Sequence, residues 1–512
     1  MPTRRAVLTG GGAAAAVAVL SPGPTRAQAR KPVLTIALPS TPETIDPHQF
    51  RSVLSGSIIN LMGEGLLTRD PYTMELKPML AESWRNVSPT TWEFKLRRGV
   101  KFHNGEEFTA ECVKFTIDRI VKSKLNTLGK LTWPPAFGQE TQVVDPHTVR
   151  FTTRVPDPMV PARLAAESMT MAPARALAEH GERFVTDRFI GTGPYRFVEH
   201  VVGDRVVVEA NAAYWGAKPP TPRIVWQVIP DAATRVAALQ RGDVDVIINL
   251  PLPLLPAVEA SPNARVYSEL SSLVSGVLLN TRESPPLRDR RVRQALNMAV
   301  DRPTIIKNLF GGRARLLNGV AGPAVSNGFD PGPYPYDPAR AKQLLAEAGH
   351  PNGFELTFWT ALGRWTQAEE IAQVLAGYWE KIGVRAKLQV LEWAEYNKRA
   401  GGSLFKDAFY YSFINATWDA SYILQRFKPS FTSFRYYDAS GDLLKTIEEY
   451  DQAFDPKRRR ELGMKAQQGV RDEAVWVFLW QLDELMGVSK KVKGFKMRAD
   501  NFIWARDAYV EA

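Results

Sequence analysis

The chain has 512 residues, more than one compact hydrophobic core organises, so two or three domains are expected. Its 45% apolar and 23% charged residues exclude wholesale disorder. Its net charge of +11 is spread over basic residues scattered among acids, which excludes a polyelectrolyte built for nucleic acid.

The first thirty residues stand apart from the fold. Arg4 and Arg5 precede a weakly hydrophobic run from Ala6 to Leu20, and Ala27-Gln28-Ala29 offers an A-x-A cleavage site. Residues 1–29 therefore read as a secretory signal peptide, too short and small-sided to remain as a membrane anchor. Thr3-Arg4-Arg5-Ala6-Val7-Leu8 resembles the twin-arginine export motif, with a Sec signal as the alternative. No cysteine follows the apolar run, so no lipid anchor is expected, and the mature chain is expected to be soluble and periplasmic. Cleavage takes away three arginines and no acid, leaving +8 of the +11. The single cysteine, Cys112, excludes an internal disulfide.

The mature chain opens with a short apolar strand, Leu34–Leu38, running into the loop Pro39-Ser40-Thr41-Pro42. Trp92–Leu96 alternates apolar and polar as a half-buried strand does. Asn104-Gly105 marks a hairpin turn, and Thr109 is placed to cap a helix whose buried face is Val113, Ile117, Ile120 and Val121. His103 and Cys112 flank that turn and cap. Both have ordinary scaffold roles there, which outweigh a nucleophile–base pair. Beyond this point strands and helices alternate without a repeat. Helices are predicted over Asp231–Arg241, Asp289–Val300, Arg302–Phe310, Asp337–Ala348, Gln367–Ile382 and Lys457–Asp472. Strands are predicted over Val244–Ile248, Phe354–Thr360, Val384–Leu391 and, as a short buried one, Val475–Trp480. Lys457-Arg458-Arg459-Arg460 reads as the solvated face of its helix. The pattern is mixed α/β with partly parallel sheets.

No enzyme motif is present. There is no phosphate loop, and Pro194 removes a backbone donor from the glycine-rich Gly191-Thr192-Gly193 stretch. No G-x-S-x-G elbow occurs, and the six histidines are isolated, so neither a metal site nor a cofactor is expected.

Leu80-Ala81-Glu82-Ser83-Trp84, then Leu96 to Gly105, then Phe108-Thr109-Ala110 resemble the family 5 extracellular solute-binding proteins of ABC transporters, the dipeptide, oligopeptide and nickel-binding group. Ile45-Asp46-Pro47-His48, Gly191-Thr192-Gly193-Pro194-Tyr195 with Asn211-Ala212-Ala213-Tyr214-Trp215, Arg291–Asn297 with Asp301-Arg302, Leu344–Gly349 and Lys381–Val384 follow in the family's order. Cys112 departs from it, standing where the family usually has Asp. The resemblance implies a two-lobed periplasmic-binding-protein fold of type II with an extra subdomain in the first lobe. Lobe one would be residues 30–285, including the subdomain at about 70–188, plus the tail 481–512; lobe two would be 286–480. It also implies a monomer that closes on a small-molecule or peptide ligand and delivers it to an ABC transporter permease and ATPase complex.

A zwitterionic peptide buried between lobes needs a carboxylate for its ammonium and an arginine for its carboxylate. Asp419 is the expected ammonium partner and Trp418 an apolar wall, with helix capping as the competing role for Asp419. Arg364 is placed to clamp a carboxylate. Tyr411, Phe434 and Tyr436 are expected to line the pocket, and the loop bearing Ser40, Thr41 and His48 to contribute from lobe one. The alternatives are a receptor for a non-peptide solute (a metal chelate, a sugar or an opine-like acid) and a periplasmic hydrolase.

Overall fold

The structure, a computed structural model, describes residues 33–50, 52–123, 128–133, 140–181, 188–362, 364–365 and 367–511. The signal-peptide reading of residues 1–29 lies outside them.

A twelve-stranded mixed sheet runs through the molecule. At one end the strands Val384–Leu391, Phe354–Ala361 and Ala408–Phe413 lie parallel, with Phe354–Ala361 in the middle. At the other, Val33–Leu38 lies parallel to Arg223–Val228 and to the short strand Val246–Ile247. The two ends are joined by one 14-residue strand, Trp476–Ser489. Its first part pairs antiparallel with Val274–Leu279 and its last part with Ala264–Leu270. The sequence predicts only a short strand ending at Trp480. The strand continues because Leu482, Met486 and Val488 keep one face apolar while polar residues interrupt the run (QLDELMGVS), which hides the alternation. It therefore passes through the expected lobe boundary at residue 480. The predicted strand Val244–Ile248 shrinks to Val246–Ile247, paired on both sides.

The apolar interior falls into separate clusters on either side of this crossover. One group is built from the first-lobe strands, the helix Val53–Met62 and the C-terminal segment from Met486 to Val510. Another fills the four-stranded antiparallel sheet Ala81–Ser88, Thr91–Leu96, Thr148–Thr152 and Glu140–Asp145 with the helix Ala110–Lys122. Two more, rich in aromatics, lie wholly between Val274 and Trp480. Two lobes with their own cores, linked by few strands, are the architecture of hinge closure.

Local signals explain most boundaries. Asp231, Asp301, Asp337 and Asp455 each accept from the backbone N–H three residues on, and each sits at a helix start. Gly242 and Gly311 end their helices in the left-handed region. Thr109 stands at the predicted N-cap, but its side chain makes no cap hydrogen bond. The basic cluster is also read differently by the fold: Arg459 points inward and is 7% exposed, while the neighbouring Arg458 faces solvent and pairs with Glu449. On a helix adjacent residues face about 100° apart, so one member of a basic run can be buried.

The stretch around His103 is scaffold. His103 Nδ1 accepts from Gly191 N–H at 3.3 Å, and its Nε2 lies 3.0 Å from Gly193 O. Gly191 and Gly193 press against the end of helix Val53–Met62: a Cβ on Gly191 would lie 2.2 Å from Met62 O, and one on Gly193 2.6 Å from Met62 C. Beside them Glu64 is buried and receives Thr192 Oγ1 at 2.9 Å, Tyr214 OH at 2.6 Å, Trp215 Nε1 at 2.9 Å and Arg506 Nη1 at 3.1 Å.

Candidate functional site

In parallel α/β sheets ligands gather outside the carboxyl ends of the strands. Here those ends face each other across the crossover. The second lobe presents the segments after Ala361, Leu391 and Phe413; the first presents those after Leu38, Val228 and Ile247. Between them runs Ile414–Asp419. Ile414 packs against the first-lobe core, and Ala416 touches the cores of both lobes.

This segment is pinned from both sides. Asn415 Nδ2 donates to Asp419 O at 3.0 Å, and its Oδ1 accepts from Asp419 N–H at 3.2 Å. Across the gap, Arg69 Nη2 donates to Thr417 O at 2.5 Å, and its Nη1 to Met74 O at 2.9 Å. Met74, Val325 and Trp418 form a small apolar cluster. Met74 (φ 61°) and Trp418 (φ 52°) both sit in the left-handed region, a strained backbone held by surrounding contacts. Burial pulls the Arg69 guanidinium down to about 10, against the opposing charge of Asp500.

Asp419 is in this segment, as expected, but its carboxylate is already occupied. Oδ1 accepts from Ser421 N–H (2.9 Å), Tyr450 OH (2.6 Å) and Arg459 Nη2 (2.9 Å), and Oδ2 from Asn327 Nδ2 (2.8 Å). Burial alone would raise its pKa; the Arg459 charge and these donors hold it below the ordinary carboxylate value. Asp419 thus stands just ahead of the short helix Ser421–Leu424 and ties it to two others, so a ligand ammonium would compete there with four donors already in place. Trp418 is 6% exposed and belongs to the interlobe cluster.

The three aromatic residues expected to line the pocket pack against their neighbours. Tyr411, 9% exposed, donates to Asn397 Oδ1 at 3.0 Å and packs on Trp365, Phe413 and Phe434. Phe434 is held between Tyr411 and Phe413. Tyr436 is buried and donates to the backbone carbonyl of Ala400 at 3.0 Å. His48 is likewise locked in place: Nε2 lies 2.7 Å from Thr170 O, Nδ1 2.5 Å from Arg119 Nη1, and Arg119 forks onto Asp46. It fastens the N-terminal loop to the subdomain.

Arg364 is the expected residue that remains available. It is exposed, its guanidinium lies 4.8 Å over the Trp393 ring, and it makes no hydrogen bond or ion pair among the described residues. Sequence reading did not single out Glu484, on the crossover strand. Asn501 Nδ2 donates to Glu484 Oε1 at 3.1 Å while the same amide holds Ser271 and Ser272 of the adjoining strand connection. Burial raises the Glu484 carboxyl, and the Arg364 charge is the largest influence opposing that rise. The only sequence signal was an acid inside a strand otherwise half apolar. Among the described residues no group of three or more His, Cys, Asp or Glu is arranged to hold a metal ion.

Residues 75–434 match the sequence profile of bacterial extracellular solute-binding proteins, family 5. The glutathione-binding protein GsiB of Escherichia coli O1:K1 is 28% identical over 495 residues, spanning 93% of this chain and 94% of its own. Heme-binding protein A of Haemophilus influenzae is 31% identical over 449 residues, 82% of each chain. In structure, the periplasmic binding protein DppA of Helicobacter pylori, solved with the peptide STSA, superposes with a TM-score of 0.82 at 25% identity, over 94% of this chain and 98% of that one. With its two lobes, its facing strand ends and this match over most of its length, the chain belongs to the bacterial extracellular solute-binding proteins, family 5.

Proposed function

We propose that this protein is the periplasmic receptor of an ABC importer for a peptide or peptide-like solute. In this reading lobe one is residues 30–285 with the tail 481–512, including the subdomain at about 70–188, and lobe two is 286–480. The signal peptide is removed, no lipid anchor follows it, and the mature protein is a monomer that docks on a permease driven by an ATPase. It alters no bond in its ligand. The observation that carries the proposal is the pinned segment Ile414–Asp419 lying between two sets of strand ends, with Ala416 touching the cores of both lobes. An arginine fork suits a carboxylate, and Arg364 makes no hydrogen bond or ion pair among the described residues. Glutathione, which the relative GsiB is named for binding, and the peptide STSA bound in the DppA structure are of this class.

The test is thermal denaturation of the mature protein with glutathione, the tetrapeptide STSA, and sugars, alongside native mass spectrometry of the untreated protein. A ligand present at about 100 times its Kd stabilises by about 2.7 kcal/mol, a clear rise in Tm. Stabilisation by a peptide-like compound with its mass unchanged after incubation is the expected result. A co-purified sugar overturns the peptide assignment, and hydrolysed peptide overturns the receptor-only reading.

A further inference from the structure

The Asp419 carboxylate joins three parts of the second lobe, and each part carries a contact with the first. The helices Gly441–Gln452 and Pro456–Asp472 send Tyr450 OH (2.6 Å) and Arg459 Nη2 (2.9 Å) to its Oδ1. Arg459 also binds its neighbour directly: Nη1 donates to Tyr450 O at 2.7 Å, and the guanidinium lies 4.2 Å over the Tyr450 ring. The turn between these helices is thereby fixed at both ends. It carries Phe454, whose ring stacks on Trp92 of the four-stranded sheet at 6.1 Å and 23°. Trp92 is held in turn by its Nε1–H, which donates to Asp157 O at 2.8 Å. The second part is the turn at Asn327, whose Nδ2 donates to Oδ2 at 2.8 Å. Two residues earlier Val325 shares an apolar cluster with Met74 of the first lobe. Backbone bonds lace this turn to the third part, Asp419's own segment: Ser326 N–H donates to Trp418 O at 3.2 Å and Ala420 N–H to Ser326 O at 3.1 Å. In that segment Trp418 completes the Met74 cluster and Thr417 O accepts from Arg69.

Asp419 is 4% exposed, Tyr450 is fully buried and Arg459 is 7% exposed. A buried network of this kind holds its members in one arrangement, because every bond lost inside it leaves a costly unpaired group. We propose that Asp419 is a positioning residue for closure: it sets the Phe454 ring, the Val325 turn and the Thr417–Trp418 segment as one face that seats on the first lobe at Trp92, Met74 and Arg69. The sheet that carries Trp92 is then a partner in closure, and the lobes meet there as well as beside the crossover strand. This goes beyond the receptor reading above, since it holds whatever the ligand is.

The test is hydroxyl-radical footprinting of the mature protein, without added ligand, read by mass spectrometry against the urea-unfolded chain. Trp92 and Met74 are the readouts, because both belong to the first lobe and a loosened second lobe reaches them only through these contacts. Tyr72, 69% exposed, is the internal standard. Tyr450→Phe removes one bond of the network and keeps the ring, so its Tm is expected to fall by only a few degrees. It is expected to raise the oxidation rates of Trp92 and Met74 together, by about threefold or more, with Tyr72 unchanged. Phe454→Ala is expected to raise Trp92 alone. Asn327→Gly suits the left-handed backbone (φ 56°) and removes only the Oδ2 donor. It is expected to raise Met74, and it decides the question if Tyr450→Phe does not fold. Unchanged Trp92 and Met74 in Tyr450→Phe, or unchanged Met74 in Asn327→Gly, overturns the inference. A rise confined to Trp418, in the second lobe, would make Asp419 a local support and overturns it too. So does a wild-type Trp92 that oxidises as fast as in the unfolded chain, since the ring contact is then not made.

Discussion

At the scale of single residues, the polar side chains of this molecule divide into those that hold the scaffold and those left unsatisfied by it. His103 belongs to the first kind. Accepting from Gly191 N–H obliges Nδ1 to be unprotonated, and burial pushes the imidazole down to about 4. The unfolded chain takes up a proton near pH 6.5 that the folded chain refuses until about pH 4. The stability tied to this histidine is therefore fully present above pH 6.5 and is lost as the pH falls towards 4. After allowance for partial exposure the loss is on the order of 2 kcal/mol. In His103→Asn, Tm at pH 7 is expected to be lower than in the wild type, but its decline between pH 6.5 and 4 should be shallower. Parallel slopes in thermal melts across that range would assign the acid sensitivity elsewhere. Glu64, Asp419 and His48 are scaffold by the same criterion. Arg364 is of the opposite kind: it rests on the Trp393 ring and makes no hydrogen bond or ion pair among the described residues.

At the scale of elements, helix starts and strand ends were legible because their causes are local. Asp337 with Pro338 and the left-handed Gly311 act within one turn of chain, and the predicted boundaries at these places fall within two residues of those observed. The strand Val384–Leu391 was read to the residue. What could not be read are partnerships across the sequence. Nothing in Gly191-Thr192-Gly193 or in Tyr214-Trp215 names Glu64, more than a hundred residues away, as the group they serve. The burial of Arg459 depends on Asp419, forty positions distant. That Glu484 takes a neutral amide while Glu269, opposite it, takes Lys496 is likewise a matter of long-range partners. The glycine loop gives an element-scale prediction. Gly193 N–H donates to Met62 O at 2.9 Å, and a Cβ there would meet the backbone of Leu61 and Met62 at 2.6–2.8 Å. Backbone cannot swing aside as a side chain can, so Gly193→Ala is expected to cost about 2 kcal/mol and lower Tm by about 5 °C. Gly377→Ala, in a helix with open space around the new methyl, should leave Tm unchanged or raise it slightly. Equal melting temperatures for the two variants would show that the loop relaxes away from the helix.

At the scale of the whole molecule, the question is what holds two separately cored lobes together. Few strands cross between them, and the contacts beside the crossover are small: the Met74–Val325–Trp418 cluster, the Trp92–Phe454 ring pair at 6.1 Å, and the Arg69 bond to Thr417 O. Arg69 differs from the rest in being charged, 4% exposed and bonded to a carbonyl of the other lobe, so its contact exists only while the lobes are together. A hydrogen bond from a buried charged donor contributes about 1.5–3 kcal/mol. Interactions made only in the closed form set how far that form is populated, and the apparent affinity of a ligand that needs it scales with that population. Arg69 touches neither Arg364 nor Glu484. Arg69→Ala is therefore expected to weaken any ligand that binds the closed form by about tenfold, chiefly through faster dissociation. Solution scattering should show the unliganded variant no more compact than the wild type, and the liganded variant closing to the same radius of gyration. Unchanged affinity would mean that the crossover strand alone governs closure, and that the strained turns at Met74 and Trp418 are a consequence of packing rather than part of the latch.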